Sequence, residues 1–261
     1  MDDLLELTRR VEATHFWFRG FRQFVAPAIA EIAGTRRHLD LLDCGCGTGH
    51  NVSTLLQPYG RAFGFDLTPG GLAHAHAVGI RAARGDMSAI PFQSGRFDLV
   101  TSFDVMQYVA DDEEVMGELA RVLKPGGGLV VTAAALDVLR GGHAETWPER
   151  RRYTTARMRS IVESAGLKVD RVTYLFASLF PAMLAVRMAS RVESNALARR
   201  MGGPLDQPAG RRPQSSPADW EMQVPAAPIN AALTCMLSGE AAISRYVPMP
   251  VGSSVLIVAR K

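Results

Sequence analysis

The sequence contains few cysteines, and its positive and negative charges nearly cancel. Three cysteines among 261 residues are too few for the disulfide framework that holds small secreted domains together. Lysine and arginine number 29 and the acidic residues 26, so the formal net charge is only +3. Nucleic-acid-binding domains are usually strongly basic, so this charge predicts no nucleic-acid partner. The apolar fraction of 47% is sufficient for a sizeable core.

A long apolar run is also absent. The longest apolar stretch lies near residues 174–186, is interrupted by Pro181 and falls short of the roughly 20 residues of a spanning helix. The first ten residues begin with acidic side chains and lack the apolar segment of a secretory signal peptide. Together with the small number of cysteines, these absences predict a cytoplasmic protein, either free in solution or peripheral at a membrane.

What the sequence does contain is a regular alternation of strand and helix patterns. Segments rich in Leu, Val, Ile and Phe predict strands near residues 39–44, 61–66, 80–85, 97–102 and 128–135. Helical patterns lie near residues 49–58, 69–78, 111–123 and 154–165. Two more strands are predicted, in "LKVDRVTYLF" and in "SSVLIVARK" at the end of the chain. Such alternation with short turns predicts parallel strands joined by crossover helices.

The regular region is flanked by segments of a different kind. Residues 1–37 predict an N-terminal helical cap, built from two amphipathic helices around "THFWFRG". Residues 38–176 form the predicted core, and residues 251–261 supply its last strand. Between them, residues 177–250 form an insertion that lies on the substrate side or at an interface. Its part near 200–228 is rich in Pro, Gly, Arg and Ser, which predicts a long loop or lid.

The stretch "LLDCGCGTGH", residues 41–50, carries the strongest single signal. Gly45, Gly47 and Gly49 alternate directly after the first predicted strand and before a helix. Glycine loses the most backbone entropy on ordering, so three of them predict a close approach of a ligand to this backbone. The dinucleotide pattern G-x-G-x-x-G fails because His50 takes the sixth position, and no Gly-Lys-Ser/Thr of a phosphate-binding loop follows. The loop therefore predicts a small ligand with no phosphate to neutralise.

The glycine loop and the strand ends after it resemble class I S-adenosylmethionine-dependent methyltransferases of the type 11-like group. The matching motifs are "LLDCGCGTGH", "GFDLTP", "RGDMSAIPF", "FDLVTSFDVMQYV" and "LKPGGGLVV", in this order over roughly residues 38–176. The resemblance implies an α/β, Rossmann-like class I methyltransferase fold. Its seven-stranded, mostly parallel sheet carries helices on both faces, an N-terminal helical cap and a long insertion before the last strand.

The N-terminal segment is similar to that of a bacterial subgroup with a His-Trp-Trp-Phe-type motif. The segments that carry this likeness are "EATHFWFRGFRQFV", "GGHAE", "RRRYTT", "LFPAMLAVR" and "MPVGSSVLIVARK". The sequence departs from the subgroup at Phe16, Tyr108, Ala144 and Glu149. These departures fall on the expected substrate side, so the resemblance extends to the cofactor and not to the substrate.

The resemblance implies S-adenosyl-L-methionine as cofactor, S-adenosyl-L-homocysteine as product, and no metal. Asp66 corresponds to the family's ribose-binding acid, Asp86 and Met87 to its adenine contacts, and Trp17 and Arg22 to a roof near the cofactor carboxylate. The full set of implied cofactor contacts is Asp43, Gly45, Cys46, Gly47, Gly49, Asp66, Leu67, Asp86, Met87, Phe103, Trp17 and Arg22.

A sulfonium methyl group is already a strong electrophile, so the enzyme mainly has to orient the nucleophile in a dry pocket. A general base is needed only if the acceptor is protonated at neutral pH. The candidates are His143 and Tyr153 after the fifth strand and Tyr108 after the fourth. His143 ranks first because the ordinary pKa of histidine lies near 7. The expected acceptor is an oxygen, nitrogen or sulfur atom of a small or lipid-like molecule.

Two other functions stay open at this stage. One is a non-catalytic S-adenosylmethionine-binding regulator or partner subunit on the same fold. The other is a nicotinamide-dependent oxidoreductase, which His50 and the second strand-end acid, Asp86, disfavour. The apolar, arginine-flanked insertion leaves three roles open: a cap on the protein itself, a homodimer interface, or a contact with a membrane or lipid-like acceptor.

Overall fold

A computed structural model describes residues 2–140, 149–200 and 223–261, with only the backbone for residues 2–4 and 192–200. Seven strands form one sheet. In chain order they are β1 Leu39–Cys44, β2 Gly60–Asp66, β3 Arg81–Arg84, β4 Phe97–Phe103, β5 Leu123–Ala134, β6 Lys168–Leu175 and β7 Ser254–Arg260.

The order of strands across the sheet is β3-β2-β1-β4-β5-β7-β6. β1 pairs in parallel with β2 and with β4, while β7 runs antiparallel between β5 and β6. The strand order reverses between β1 and β4, and ligands of open α/β sheets bind at such a point. This arrangement confirms the predicted Rossmann-like class I methyltransferase fold.

Helices cover both faces of the sheet. Their bounds are α1 Asp2–Val11, α2 Phe16–Ala33, α3 Pro69–Ala77, α4 Asp112–Val122, α5 Thr155–Ser164, α6 Phe180–Arg200 and α7 Ala227–Ser244. The buried side chains of α4 and α5 join one core cluster, and those of α2, α3 and α7 join the other. The central strands read as continuous apolar runs because both of their faces are covered.

The structure differs from the sequence prediction in two local elements. The helix expected near residues 49–58 is a π-helical turn over Val52–Leu56 followed by a 3-10 turn over Gln57–Tyr59. The strand expected at 128–135 begins earlier, because Phe97 already pairs with Leu123 and the register shifts before Leu99 pairs with Gly128. Both differences arise where proline or glycine changes the backbone geometry without interrupting the apolar pattern.

The helix α7, in the second half of the insertion, packs on α2 near the N-terminus. A Cβ atom built on Gly20 would lie 2.4 Å from Cδ1 of Leu237, so the two helices approach closely there. The Asn230 side chain accepts a hydrogen bond from the N–H of Phe16 at 2.8 Å and donates one to the carbonyl of Thr14 at 2.9 Å. The insertion is therefore attached to the N-terminal cap on this side.

A second contact attaches α7 to the start of α6. The carboxylate of Glu240 accepts hydrogen bonds from the N–H groups of Ala177 at 2.7 Å and Ser178 at 2.9 Å. Most of the loop or lid expected near 200–228 lies outside the described residues, and its last two positions already belong to α7. Among the helices that the structure describes, none has both the length and the apolar character needed to cross a bilayer.

The Gly20–Leu237 contact predicts non-additive stability changes. Gly20→Ala should lower the free energy of unfolding by about 1–3 kcal/mol because its methyl group overlaps Leu237. Leu237→Ala should cost about 2–5 kcal/mol through the cavity it leaves. In the double variant the methyl group added at position 20 enters the space that the Leu237 side chain leaves. The loss of unfolding free energy should therefore be smaller than the sum of the two single losses. Urea denaturation measures all three. Gly117→Ala, where the added Cβ meets open space, is the control. If the losses of the two single variants add up to that of the double variant, the Gly20–Leu237 contact is contradicted.

Candidate functional site

Of the three glycines in the loop after β1, Gly47 alone leaves space beside its backbone within the described structure. Gly45, Gly47 and Gly49 all have positive φ angles, of 81°, 48° and 80°. A Cβ atom on Gly45 would lie 2.3 Å from Cγ2 of Val105, and one on Gly49 would press against α3. Among the residues that the structure describes, the Leu5 side chain alone lies within 4 Å of a Cβ on Gly47, at 3.6 Å. Gly45 and Gly49 are therefore required by internal packing, whereas Gly47 leaves room for a ligand.

Asp66 at the end of β2 is held against this loop. One carboxylate oxygen accepts the N–H of Gly47 at 2.8 Å, and the other accepts the N–H of Thr68 at 2.8 Å. A carboxylate offers about four acceptor positions, so the oxygen bonded to Gly47 retains capacity for another donor. The structure thus places the predicted ribose-binding acid beside the open glycine with a fixed orientation.

Asp43, at the end of β1, is buried behind the loop with 2% of its surface exposed. The hydroxyl of Thr101 donates a hydrogen bond of 2.6 Å to its carboxylate. Burial raises the pKa of Asp43 to about 7; the Thr101 hydrogen bond opposes this shift and the negative charge of Asp66 adds to it. The charge of this carboxyl therefore changes near neutral pH.

The remaining predicted contacts on this side differ in accessibility. Asp86 is exposed, and one of its oxygens accepts both the N–H and the hydroxyl of Ser88 at 2.9 Å, which fixes the turn after β3. Met87 is 8% exposed and belongs to the core, while Leu67 is 53% exposed beside the loop. Cys46 is 6% exposed and packs inside the fold, so its side chain supports the loop from behind.

The N-terminal cap supplies a residue that the sequence analysis missed. The Thr48 hydroxyl of the glycine loop donates to the carboxylate of Glu12 at 2.8 Å, and the Arg22 guanidinium donates to the Glu12 carbonyl at 2.7 Å. Burial raises the pKa of Glu12, while the Thr48 hydrogen bond and the Arg22 charge oppose that shift. A carboxylate and a guanidinium therefore lie together above the loop. The sequence signal that could have pointed to Glu12 was its position within "EATHFWF".

The aromatic residues of the same segment pack on strand ends. His15 caps α2, since its ring Nδ1 accepts the N–H of Trp17 at 3.1 Å. Trp17 stacks on Phe176 after β6, with ring centroids 4.0 Å apart and planes at 7°. Phe103 at the end of β4 meets Phe21 edge to face at 5.2 Å. These contacts bring Trp17 and Phe103 to the ligand edge of the sheet, and their contact with a cofactor stays a prediction.

The structure contradicts the catalytic assignment of Tyr153. This side chain is fully buried, and its hydroxyl bonds the Met106 carbonyl at 3.0 Å and the Asp112 carboxylate at 3.1 Å. Burial, together with the negative charge of Asp112, raises its pKa well above the ordinary value. The sequence placed Tyr153 after β5 correctly, but could not show that its ring turns into the core beneath α4. Tyr153 is a structural residue.

The other two base candidates have different outcomes. His143 lies outside the described residues, so its role stays a prediction. Tyr108 is half-buried, and burial raises its pKa to about 12, with the Glu149 and Asp104 charges adding to the shift and a Gln107 hydrogen bond opposing it. This shift disfavours Tyr108 as a base at neutral pH, and its role at the site stays a prediction.

A buried acidic and basic cluster after β4 and β5 was also missed. Asp104 has a φ of 55°, and its N–H donates to the Thr132 carbonyl at 3.0 Å. Burial raises the pKa of Asp104 to about 6, opposed by a Thr132 hydrogen bond and supported by the charge of Glu149. Arg152 forms a two-pronged ion pair with Glu149, at 2.7 and 2.9 Å. Asp104 stands inside the quoted "FDLVTSFDVMQYV", which was the available signal.

Comparison with known proteins places the loop and the first strand ends in one family. Residues 42–131 match the family described as a methyltransferase domain. Over these residues the chain is similar to methyltransferase domains. The match confirms the resemblance drawn from the glycine loop and the motifs after it. It begins at residue 42, so the likeness of the N-terminal segment to the His-Trp-Trp-Phe-type subgroup stays a prediction.

Individual relatives are similar over part of their length. A malonyl-[acyl-carrier protein] O-methyltransferase of Herminiimonas arsenicoxydans is 32% identical over 160 residues, which are 59% of this chain and 61% of that protein. A demethylmenaquinone methyltransferase of Thermus thermophilus is 36% identical over 119 residues, 39% of this chain and 54% of that one. The chain thus spans about half to three fifths of the length of these curated relatives.

A crystal structure of an S-adenosylmethionine-dependent methyltransferase from Mesorhizobium loti superposes with a TM-score of 0.55 at 18% identity. The superposition covers 90% of this chain and 96% of that one. At this identity the likeness establishes the fold.

Asp43→Asn tests the unusual titration of the buried carboxyl in this domain. The folded-state pKa of about 7 exceeds the ordinary value of 3.8, so folding favours the protonated form. The stability linked to this group is fully present at low pH and is lost as the pH rises through about 7. Asparagine keeps an acceptor for Thr101 without this titration. Relative to the variant, the parent should lose about 3 kcal/mol of unfolding free energy between about pH 5 and pH 8.

Urea denaturation of the parent and the Asn variant at a series of pH values measures this difference. Asp137→Asn, in which the replaced side chain is 75% exposed, is the control and should show no comparable change. A difference between parent and Asp43→Asn that stays constant with pH would show that Asp43 does not titrate in this range.

Proposed function

We propose that the protein transfers the methyl group of S-adenosylmethionine to an oxygen, nitrogen or sulfur atom of a small or lipid-like acceptor. The observation that carries the proposal is the juxtaposition of open Gly47 with the Asp66 carboxylate at the strand-order reversal. The relatives named above are methyltransferases for a malonyl group on a carrier protein and for demethylmenaquinone. Their acceptors, one acidic and one lipophilic, give the chemical classes to examine first.

The described residues offer suitable partners for the ribose, carboxylate and ammonium groups of the proposed cofactor. Gly47 leaves the space that a Cβ atom would take, and Asp66 offers an acceptor for ribose hydroxyls beside it. Above the loop, Arg22 would bind the cofactor carboxylate and Glu12 its ammonium group. Asp43 adds a nearby carboxyl whose charge suits a cationic ligand. When bound, the cofactor supplies an electrophilic methyl group.

The chain's own contribution to the reaction lies at the ends of β4 and β5. There, the buried Arg152–Glu149 pair and Asp104 form a polar wall that orients an acceptor and excludes water. Asp104, with a pKa of about 6, is ionised at neutral pH and accepts a proton or a hydrogen bond. Tyr108 keeps its proton and donates. His143 remains the proposed base for an acceptor that carries a proton.

Calorimetry with S-adenosylmethionine and S-adenosylhomocysteine tests the cofactor assignment, with NAD as the competing ligand. Gly47→Val should abolish binding because the new side chain fills the open space. Asp66→Ala should weaken binding by about 2–4 kcal/mol, since it removes charge-assisted hydrogen bonds. Glu163→Ala removes an exposed acid on α5 and should bind like the parent. Binding of NAD, or unchanged S-adenosylmethionine affinity in both site variants, would contradict the assignment.

Turnover separates an enzyme from a non-catalytic binding protein on the same fold. Transfer of a labelled methyl group is measured with a panel that includes malonyl-carrier protein and demethylmenaquinone. On any acceptor that reacts, His143→Ala should lower turnover at least about tenfold without changing S-adenosylhomocysteine affinity. Tyr153→Phe should cost about 1–3 kcal/mol of stability through its unpaired buried partners, yet leave turnover per folded molecule unchanged.

Two results would revise this picture. Equal turnover of the His143→Ala variant would move the proton acceptor to Asp104 or remove the need for a base. Tight cofactor binding without transfer to any member of the panel would favour the regulator over the enzyme.

A further inference from the structure

The outward face of α7 carries no charged side chain. Its exposed residues are Ala227, Pro228, Ile229, Ala231, Ala232, Cys235, Met236, Gly239, Ala242 and Ile243. Over residues 223–253 the charged residues are Glu240, which is buried against the start of α6, and Arg245, which pairs with Glu31 beyond the helix. A helix at a free surface normally turns a charged face to water.

The exposed apolar residues follow the spacing of a helix-packing stripe. Ile229, Met236 and Ile243 are seven residues apart and are 55%, 38% and 56% exposed. Ala232 and Gly239 stand three residues after the first two of them, so the spacing alternates between three and four. Tyr246, which is 80% exposed, continues the stripe beyond the last turn. This alternation is the a/d pattern of coiled-coil packing. These six residues are called the outer seam.

The opposite side of α7 is already packed. Its buried residues are Asn230, Thr234, Leu237, Glu240, Ala241 and Ser244, and this side meets α2. A helix that buries one side and carries an uncharged, apolar stripe on the other normally lies between two neighbours. Within the part of the chain that the structure describes, α7 has a neighbour on one of these sides only.

We propose that the outer seam is a homodimer interface in which α7 packs antiparallel against α7 of a second copy. A two-fold axis through the middle of the helix, between residues 237 and 238, brings the same surface of both copies together. The facing pairs are Met236 with Gly239 of the partner subunit, Ala232 with Ile243 of the partner subunit, and Ile229 with Tyr246 of the partner subunit.

This pairing is self-complementary in size and charge. Met236 faces Gly239 of the partner subunit, and Ala232 faces Ile243 of the partner subunit. Each of these pairs places a large side chain against a small one, which lets packed layers interdigitate. Because the outer seam carries no charge, the two-fold axis brings no like charges together. Four seam residues line an open groove of about 710 Å³, whose other side is formed by Ala177, Ser178 and Met249. This groove gives room for side chains of the second copy.

The same residues fit a membrane surface less well. Interfacial binding grows with the apolar area that each exposed position inserts, so it favours large side chains throughout the face. The outer seam instead has Ala232 and Gly239 at alternate positions, and no atom of the described residues lies within 4 Å of a Cβ built on Gly239. Small residues at regular intervals are what a second helix requires.

Gly239→Leu separates the two occupants because its effect has opposite signs for them. Against a second helix, the added side chain blocks close approach and should raise the dimer dissociation constant at least about tenfold. Against lipid, the added leucine would strengthen binding. Gly117→Leu is the matched control, since it lies in α4 with an equally open Cβ position. Both variants should fold like the parent, as circular dichroism checks.

Sedimentation equilibrium over a range of concentrations should show a dimer for the parent and the Gly117→Leu control, and dissociation for Gly239→Leu. A short bismaleimide should crosslink the parent through Cys235, which is exposed while Cys44 and Cys46 are buried. A parent that stays monomeric at all concentrations, or a Gly239→Leu variant that dimerises equally well, would overturn the proposal. So would stronger sedimentation of Gly239→Leu with anionic vesicles. None of these measurements depends on the proposed methyl transfer.

Discussion

The hydrogen bond from the N–H of Gly47 to Asp66 is the contact on which the ligand site depends. It joins the loop after β1 to the end of β2 at 2.8 Å, and it requires a backbone with a φ of 48° at Gly47. A residue with a side chain would be strained there and would also fill the space beside the carboxylate. The backbone conformation of Gly47 thus orients the Asp66 carboxylate and also leaves space beside it.

The roof of the site depends on contacts between the two ends of the chain. Asn230 in α7 bonds the backbone of Thr14 and Phe16, in the turn that also carries Glu12 toward the glycine loop. The position of the Glu12 and Arg22 pair above Thr48 is therefore supported from the insertion. The same helix holds the segment before α6 through Glu240, so one element supports both the N-terminal cap and the entry to α6.

Local patterns predicted the sheet and the glycine loop well, because both are determined by short-range features. Strand bounds follow from apolar runs, and the glycine spacing with Asp66 follows from the loop that it must form. Tyr153 was assigned wrongly because periodicity does not show to which face a residue beyond a strand end turns. Glu12 and the packing of α7 on α2 were missed because each depends on a contact distant in sequence, which spacing alone does not reveal.

The place of β7 in the sheet has a consequence for how the protein is made. Among the seven strands that the structure describes, β6 pairs with β7 alone, and β7 lies between β5 and β6 although it comes last in chain order. During synthesis, β6 therefore leaves the ribosome before β7, the strand with which it pairs. Contacts of such large sequence separation slow folding, and an unpaired strand edge invites aggregation. Pairing of β7 with β5 and β6 thus completes the sheet late in synthesis.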